Sequence, residues 1–275
     1  MDKMLLNGQP VNEDNSSQLF NNRGFYYGDG FFESMRVEHG KILRGNMHFQ
    51  RMQKALLLLE MQPDVFSSVE EIESLIVSLS AANKSGDYLR ARITFFRQGP
   101  GNYTPEKNST GYLINIQTLS GPMEFPEKGL RAGIYTRQAK AKGPFSNIKS
   151  ISSQLYVMAG IHAKHEGLEE CLLVNTSGHF IESLSCNFFI WMNNTLLTAP
   201  LSEGCVDGVY RRYLLDIAEK NGIPFREQMI TETEIALADE IILSNAVRGI
   251  QWIATLADKN YDCQMARQLF RFANT

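Results

Sequence analysis

No run of apolar residues in this chain approaches the roughly 20 that a membrane-spanning helix needs. The opening stretch MDKMLLNGQPV is too poor in apolar side chains for a secretory leader, so a cytoplasmic setting is expected. Cysteine is sparse. Cys171, Cys186, Cys205 and Cys263 lie far apart, form no CxxC pair and sit mostly in apolar surroundings, which predicts reduced, buried thiols rather than a disulfide framework. Positive charge is not in excess: 27 Lys and Arg stand against 30 Asp and Glu, for a net charge of −3. Such a chain has no basic field for nucleic acid and no pull toward anionic lipid, so neither is expected as a partner. Internal repeats and low-complexity segments are also absent.

What is present is the composition of a soluble globular protein, 43% hydrophobic and 21% charged, with 275 residues to bury in a large core. Residues 3–12 read as a strand pair turned at Asn7–Gly8. Phe32–Val37 reads as a strand leading to a turn at His39–Gly40. A helix from about Asn46 turns Met52, Ala55, Leu56 and Leu59 inward, and a second covers Leu75–Ala82. Leu89, Ala91, Ile93 and Phe95 alternate with Arg90, Arg92, Thr94 and Phe96, the period of a half-buried strand. Arg97–Pro105 is a glycine- and proline-rich loop, and Tyr112–Leu119 a further strand. The segment 120–129, with two prolines and two glycines, marks the boundary between a domain at 1–119 and a larger one at 130–275. In the second half, strands are expected at Arg131–Arg137, Cys171–Val174, Phe188–Met192, Thr195–Leu197 and Ile241–Leu243. Helices are expected from Ile151 to Gly167, from about Val209 to Asn221, and over Met265–Ala273. The pattern is α+β: a smaller α+β domain, then a larger α/β domain with a mixed, barrel-like sheet.

The stretch Pro144–Trp191 holds two candidate reactive groups. Lys149 stands alone between Ile148 and Ile151, with Ser150 and Ser152 placed to cap a helix whose face is Ile151, Leu155, Met158 and His162. Glu182 ends an apolar segment, where a carboxylate without a partner is costly. A lysine entering a helix and a carboxylate leaving a strand can face each other across one pocket. Each also has a plainer reading, as solvated surface or an ion-pair member. Gly208, Val209 and Tyr210 open a helix, whose exposed N–H groups and dipole suit phosphate. Ser244–Asn245–Ala246 is a polar turn after a buried strand, where α/β sheets place ligands. Arg51 adds a cation. His162 and His165 share a helix face but have no third ligand near them in sequence, so no metal site is expected.

Six segments in order resemble the fold-type IV pyridoxal-phosphate enzymes, which include branched-chain and D-amino-acid aminotransferases and 4-amino-4-deoxychorismate lyase. They are RGFYYGDGFFESMRV, HFQRM, NIKSISS, GHFIESLSCNFFI, VDGVYRR and ADEIILSNAVRGIQWI, and they cover nearly the whole chain. The resemblance implies pyridoxal 5′-phosphate as cofactor, carried covalently by Lys149, with Glu182 facing its pyridine nitrogen. It implies a phosphate cup from Arg51, the backbone at Gly208, Val209 and Tyr210, and the turn at Asn245 and Ala246. Phe32 and Arg97 fall on the substrate side. A free lysine near pKa ~10.4 is a poor nucleophile at neutral pH, so such a site must lower it by burial or positive neighbours. The chain departs from the family pattern at Ser152, often asparagine, and at Tyr210, where relatives carry a small hydroxyl. Asn245–Ala246, where transaminases often carry threonine, resembles the lyase branch. The resemblance therefore implies a lyase releasing pyruvate and 4-aminobenzoate from a small-molecule amino substrate, with an aminotransferase as the alternative, and a homodimer.

Overall fold

The computed structural model describes residues 3–12 and 22–274. It divides into two compact units, Met1–Pro122 with Ile148–Ser152, and Met123–Asn147 with Ser153–Thr275.

In the first unit, β1 (Leu5–Leu6) and β2 (Gln9–Pro10) flank Asn7 and Gly8, both at positive φ, as a two-residue hairpin turn requires. There follow α1 (Arg23–Tyr27), β3 (Gly30–Glu38), β4 (Lys41–Ile42), α2 (Gly45–Leu58), α3 (Val69–Asn83), β5 (Tyr88–Arg97) and β6 (Thr110–Thr118). The sheet is antiparallel in the order β2-β1-β6-β5-β3-β4. Unbroken pairing of β3 with β5 keeps the period of two strict. Phe31, Met35, Ala91, Ile93, Phe95 and Ile114 therefore share one face, packed with Met52 and Leu56 of α2 and Ile72 and Ile76 of α3. Each such fully buried aliphatic side chain contributes about 1.5–3 kcal/mol. The opposite face carries Phe32, Ser34, Arg92, Thr94 and Asn115, all half-buried.

The second unit contains β7 (Leu130–Lys140), α4 (Gln154–His165), β8 (Glu170–Asn175), β9 (Phe180–Ser183), β10 (Asn187–Met192), β11 (Thr195–Thr198), α5 (Val209–Lys220), β12 (Phe225–Glu227), α6 (Glu232–Leu237), β13 (Glu240–Asn245), β14 (Gly249–Leu256), β15 (Lys259–Asn260) and α7 (Gln264–Ala273). Its mixed sheet runs β12-β11-β10-β13-β14-β7-β8-β9, with β15 on β14. The sheet is covered on both faces. Ile241 and Leu243 of β13 join one apolar cluster, while Ile242 joins another with Tyr210 and Leu214 of α5 and Leu269 of α7. Burial on both sides explains why this strand reads as an unbroken apolar run.

Two expectations need correction. The helix after Lys149 begins at Gln154, and Ser153, its N-cap residue, makes no side-chain cap bond. Residues 148–152 are instead paired with β3: Ser150 bridges Phe31, Phe32 N donates to Lys149 O at 2.9 Å, and Ile151 N donates to Gly30 O at 3.2 Å. This backbone pairing moves Ile148–Ser152 into the first unit, although it lies far beyond residue 119 in sequence. The face of α4 also differs, because Ala159 and Ala163 are buried while Met158 is 42% exposed. Strand β14 was not foreseen. A register shift between Ile253 and Thr255 breaks its period of two, so its buried Ile250, Ile253 and Leu256 recur at three. Among the described residues no helix is long and apolar enough to cross a membrane.

Candidate active site

Glu182 lies on β9 and is 2% exposed. Its Oε1 accepts from Lys140 Nζ at 2.5 Å and from the Tyr156 hydroxyl at 2.6 Å, and its Oε2 accepts from Val206 N at 2.8 Å. Burial pushes the Tyr156 phenol far above its ordinary range, and the charge and hydrogen bond of Glu182 push the same way, so the hydroxyl stays protonated and donates. Sequence reading found Glu182 but missed both side-chain partners. Lys140 closes β7 and Tyr156 stands in the first turn of α4, and only the fold brings them to β9.

On the same unit, α5 opens at Gly208 with no side-chain cap bond. A Cβ on Gly208 would lie 1.8 Å from Asn187 Oδ1, so any larger residue must displace that carboxamide, whose Nδ2 donates to Val206 O. Asn187 pairs across strands with Ser244, whose buried Oγ has no hydrogen-bond partner among the described residues. Ser244 lies two residues beyond Ile242, hence on the face of β13 that packs against α5. The turn beyond is closed by Asn245, whose Oδ1 accepts from Val247 N and Arg248 N while Nδ2 donates to Ser185 O. The Asn245 side chain is thus spent on the turn. Tyr210 is 2% exposed, with its ring in the core and its hydroxyl against Met123 Sδ, so its side chain does not replace the small hydroxyl of relatives.

In the first unit, Lys149 Nζ sits 4.9 Å from the Phe32 ring centroid, and Arg92 Cζ lies 3.7 Å from the same centroid. Arg51 binds Glu33 through two parallel hydrogen bonds, Nε to Oε1 at 2.7 Å and Nη2 to Oε2 at 2.6 Å. His48 Nδ1 is 2.7 Å from Glu33 Oε2. Burial would raise the Glu33 carboxyl, but the Arg51 charge and the hydrogen bonds from His48 and Arg51 outweigh it and hold the group at about 2. His48 is pushed down, chiefly by burial, against the opposing pull of Glu33.

Arg97, expected on the substrate side, is committed elsewhere. Its Nε donates to Asp29, Nη1 to Glu60 O and Asn108 Oδ1, and Nη2 to Leu59 O. With every nitrogen engaged it ties down the 98–109 loop, and Arg23 reinforces this by donating to Gly101 O and Asn102 O. The loop is pinned rather than open, and the substrate role of Arg97 is not carried forward.

The polar groups of the second unit fit a phosphorylated pyridine. Glu182 Oε2 carries one hydrogen bond and has a second lone pair for a ring N–H. The start of α5 and the unpartnered Ser244 hydroxyl suit an anion. Residues 30–256 match the family described as Amino-transferase class IV. The D-alanine aminotransferase of Staphylococcus epidermidis is 25% identical over 265 residues, covering 94% of this chain and 91% of that protein. The branched-chain aminotransferase of Thermoproteus uzoniensis superposes with a TM-score of 0.86 at 21% identity, covering 99% and 93% of the two chains. The 4-amino-4-deoxychorismate lyase of Pseudomonas aeruginosa superposes with a TM-score of 0.84 at 23% identity, covering 98% and 97%. The chain belongs to the aminotransferase class IV family, and it is an enzyme that works with pyridoxal 5′-phosphate.

Proposed function

We propose that this chain is a lyase that takes 4-amino-4-deoxychorismate to pyruvate and 4-aminobenzoate. Bound pyridoxal phosphate supplies the electron sink for charge developing on the substrate carbon next to nitrogen. Lys149 would hold the cofactor covalently, and its amine would move the proton at that carbon. Glu182 would face the pyridine nitrogen, its orientation fixed by Lys140 and Tyr156 on Oε1 and by Val206 N on Oε2. The start of α5, the Ser244 hydroxyl and the backbone of the 245–248 turn would bind the phosphate, while Arg51 is held by its two hydrogen bonds to Glu33. Elimination needs no net redox change, only a proton removed and a proton returned to the departing fragment.

The observation that carries this reading is the chemistry beside Lys149. On that face Phe32 stands beside Ser34, Thr94 and Arg92, with Leu113 and Asn115 one strand further along the sheet. A flat ring bearing carboxylates suits that surface, whereas an aliphatic branched side chain would bury those polar groups without partners. The second reading is an amino-acid aminotransferase acting on branched-chain or D-amino acids, favoured by the similarity to relatives of both kinds over nine-tenths of the chain. A homodimer accompanies either reading, supported by the exposed aromatics Phe25, Tyr26 and Tyr103, at 68%, 62% and 91% exposure.

Incubating the holoenzyme with 4-amino-4-deoxychorismate should yield pyruvate and 4-aminobenzoate in equal amounts. Aminated cofactor accumulating with D-alanine or branched-chain amino acids, with no pyruvate from 4-amino-4-deoxychorismate, would move the chain to the aminotransferases.

A further inference from the structure

The loop that leads into α5, residues 199–208, carries a glutamate that is only 8% exposed, Glu203. A carboxylate so placed needs donors, and three converge on a single oxygen. Oε2 accepts from Asn175 Nδ2 at 2.6 Å and from Lys142 Nζ at 2.9 Å, and His179 Nδ1 lies 2.8 Å from it. Burial would raise the carboxyl, but hydrogen bonds from Lys142, His179 and Asn175, with the charge of Lys142, outweigh it and hold the group at about 2. A buried ion pair of this kind adds little net stability, because desolvation offsets the attraction; what it can supply is one fixed geometry.

Each partner of Glu203 belongs to an element that also positions Glu182. Lys142 follows Lys140, which donates to Glu182 Oε1. Asn175 ends β8, the strand paired with β9, and His179 directly precedes β9, which carries Glu182. The far end of the loop closes the ring, because Val206 N donates to Glu182 Oε2 and Gly208 then opens α5. Asn147 holds the same loop from another side, its Nδ2 donating to Leu201 O at 2.9 Å and to Cys205 O at 2.6 Å. All these residues lie in the second unit.

We propose that Glu203 is a positioning residue for the cofactor: by gripping Lys142, Asn175 and His179 it fixes the 199–208 loop, and so sets where the Val206 amide meets Glu182 and where the first N–H groups of α5 stand. The inference rests on the reading of Glu182 and the α5 start as the pyridine and phosphate ends of the site. Glu203 acts on both ends through the loop and reaches the cofactor only by way of it. A shift of about 1 Å in that loop would loosen the two ends together, since one short segment delivers both.

The test uses the full chain, as holoenzyme and cofactor-free, in wild type, Glu203→Gln and Asn147→Ala. Glu203→Gln keeps the size of the side chain but leaves Lys142 without its counter-ion, and Asn147→Ala releases the same loop without touching the carboxylate. In the cofactor-free variants, amide exchange across residues 199–208 should speed up about tenfold or more while β13 keeps its protection. Affinity for pyridoxal phosphate, followed by its absorbance, should fall roughly ten- to a hundredfold, the range for loss of a charge-assisted hydrogen bond. Holoenzymes of both variants should lose cofactor faster on dialysis. Binding is measured well below the lowest melting temperature, so that unfolding does not pass for weak affinity. A lower melting temperature with cofactor affinity unchanged would make Glu203 structural alone and overturn the proposal. Weaker binding without faster exchange in the loop would overturn it as well. Should Glu203→Gln not fold, Glu203→Asp takes its place with the same direction expected, since it keeps the charge and shortens only the reach. A wild type that takes up no pyridoxal phosphate would strike the functional reading instead, and that is established before any variant is made.

Discussion

A buried carboxylate persists where donors converge on it, and Glu182 and Glu33 meet this condition in different ways. Glu182 has a lysine, a phenol and a backbone amide. Glu182→Gln should cut turnover by ~10²-fold or more through loss of preorganised charge. It should also lower stability by about 3 kcal/mol, because Lys140, only 12% exposed, loses its counter-ion. Glu182→Gln with Lys140→Met should restore the melting temperature but not the activity, and a double variant that regained turnover would show that Glu182 is structural alone. Lys140 is also the rival for covalent attachment. Borohydride reduction followed by peptide mapping should place the cofactor on Lys149, and label on Lys140 would refute that assignment.

Among the elements, the start of α5 has the tightest fit. Gly208→Ala forces a Cβ onto the Asn187 carboxamide, and such overpacking costs about 1–3 kcal/mol. The variant should melt lower and also lose cofactor more readily on dialysis, because the first-turn N–H groups shift. A lower melting temperature with cofactor retention unchanged would separate the helix start from the phosphate. The segment at Lys149 shows how an element can be misread locally. Ser150 and Ser152 have the chemistry of helix caps, yet their backbone finds better-paired donors and acceptors along β3, and α4 starts only once that pairing ends.

For the whole molecule, the clearest pH dependence comes from Glu33. Its folded value of about 2 lies below the unfolded 4.5, so its contribution to stability is fully present above pH 4.5 and is lost as pH falls through that window toward 2. The shift corresponds to about 3 kcal/mol. Melting temperature against pH should fall through this range in the wild type and less steeply in Glu33→Gln, which starts lower because Arg51 is left without its partner. An equal slope in the two proteins would remove Glu33 from the account. Arg51→Ala is for the same reason a poor test of phosphate binding, since it strands Glu33.

Much of this was legible in the chain alone. The alternation in β3 and β5, the Asn7–Gly8 turn and the stops near Lys84 and Gly222 are local consequences of side-chain period and backbone freedom, which neighbouring residues determine by themselves. The ordered motifs marked Lys149, Glu182, Gly208 and the 244–246 turn as special, because chemistry constrains residue type at each. What only the tertiary structure decided was partnership. Lys140 is 42 residues from Glu182, and Arg97 is 68 residues from Asp29. Whether Arg97 is spent on Asp29 and a loop, or Arg51 on Glu33, depends on which strands and helices pack together. That is set by long-range burial and backbone pairing, which the residue type and its local sequence do not specify.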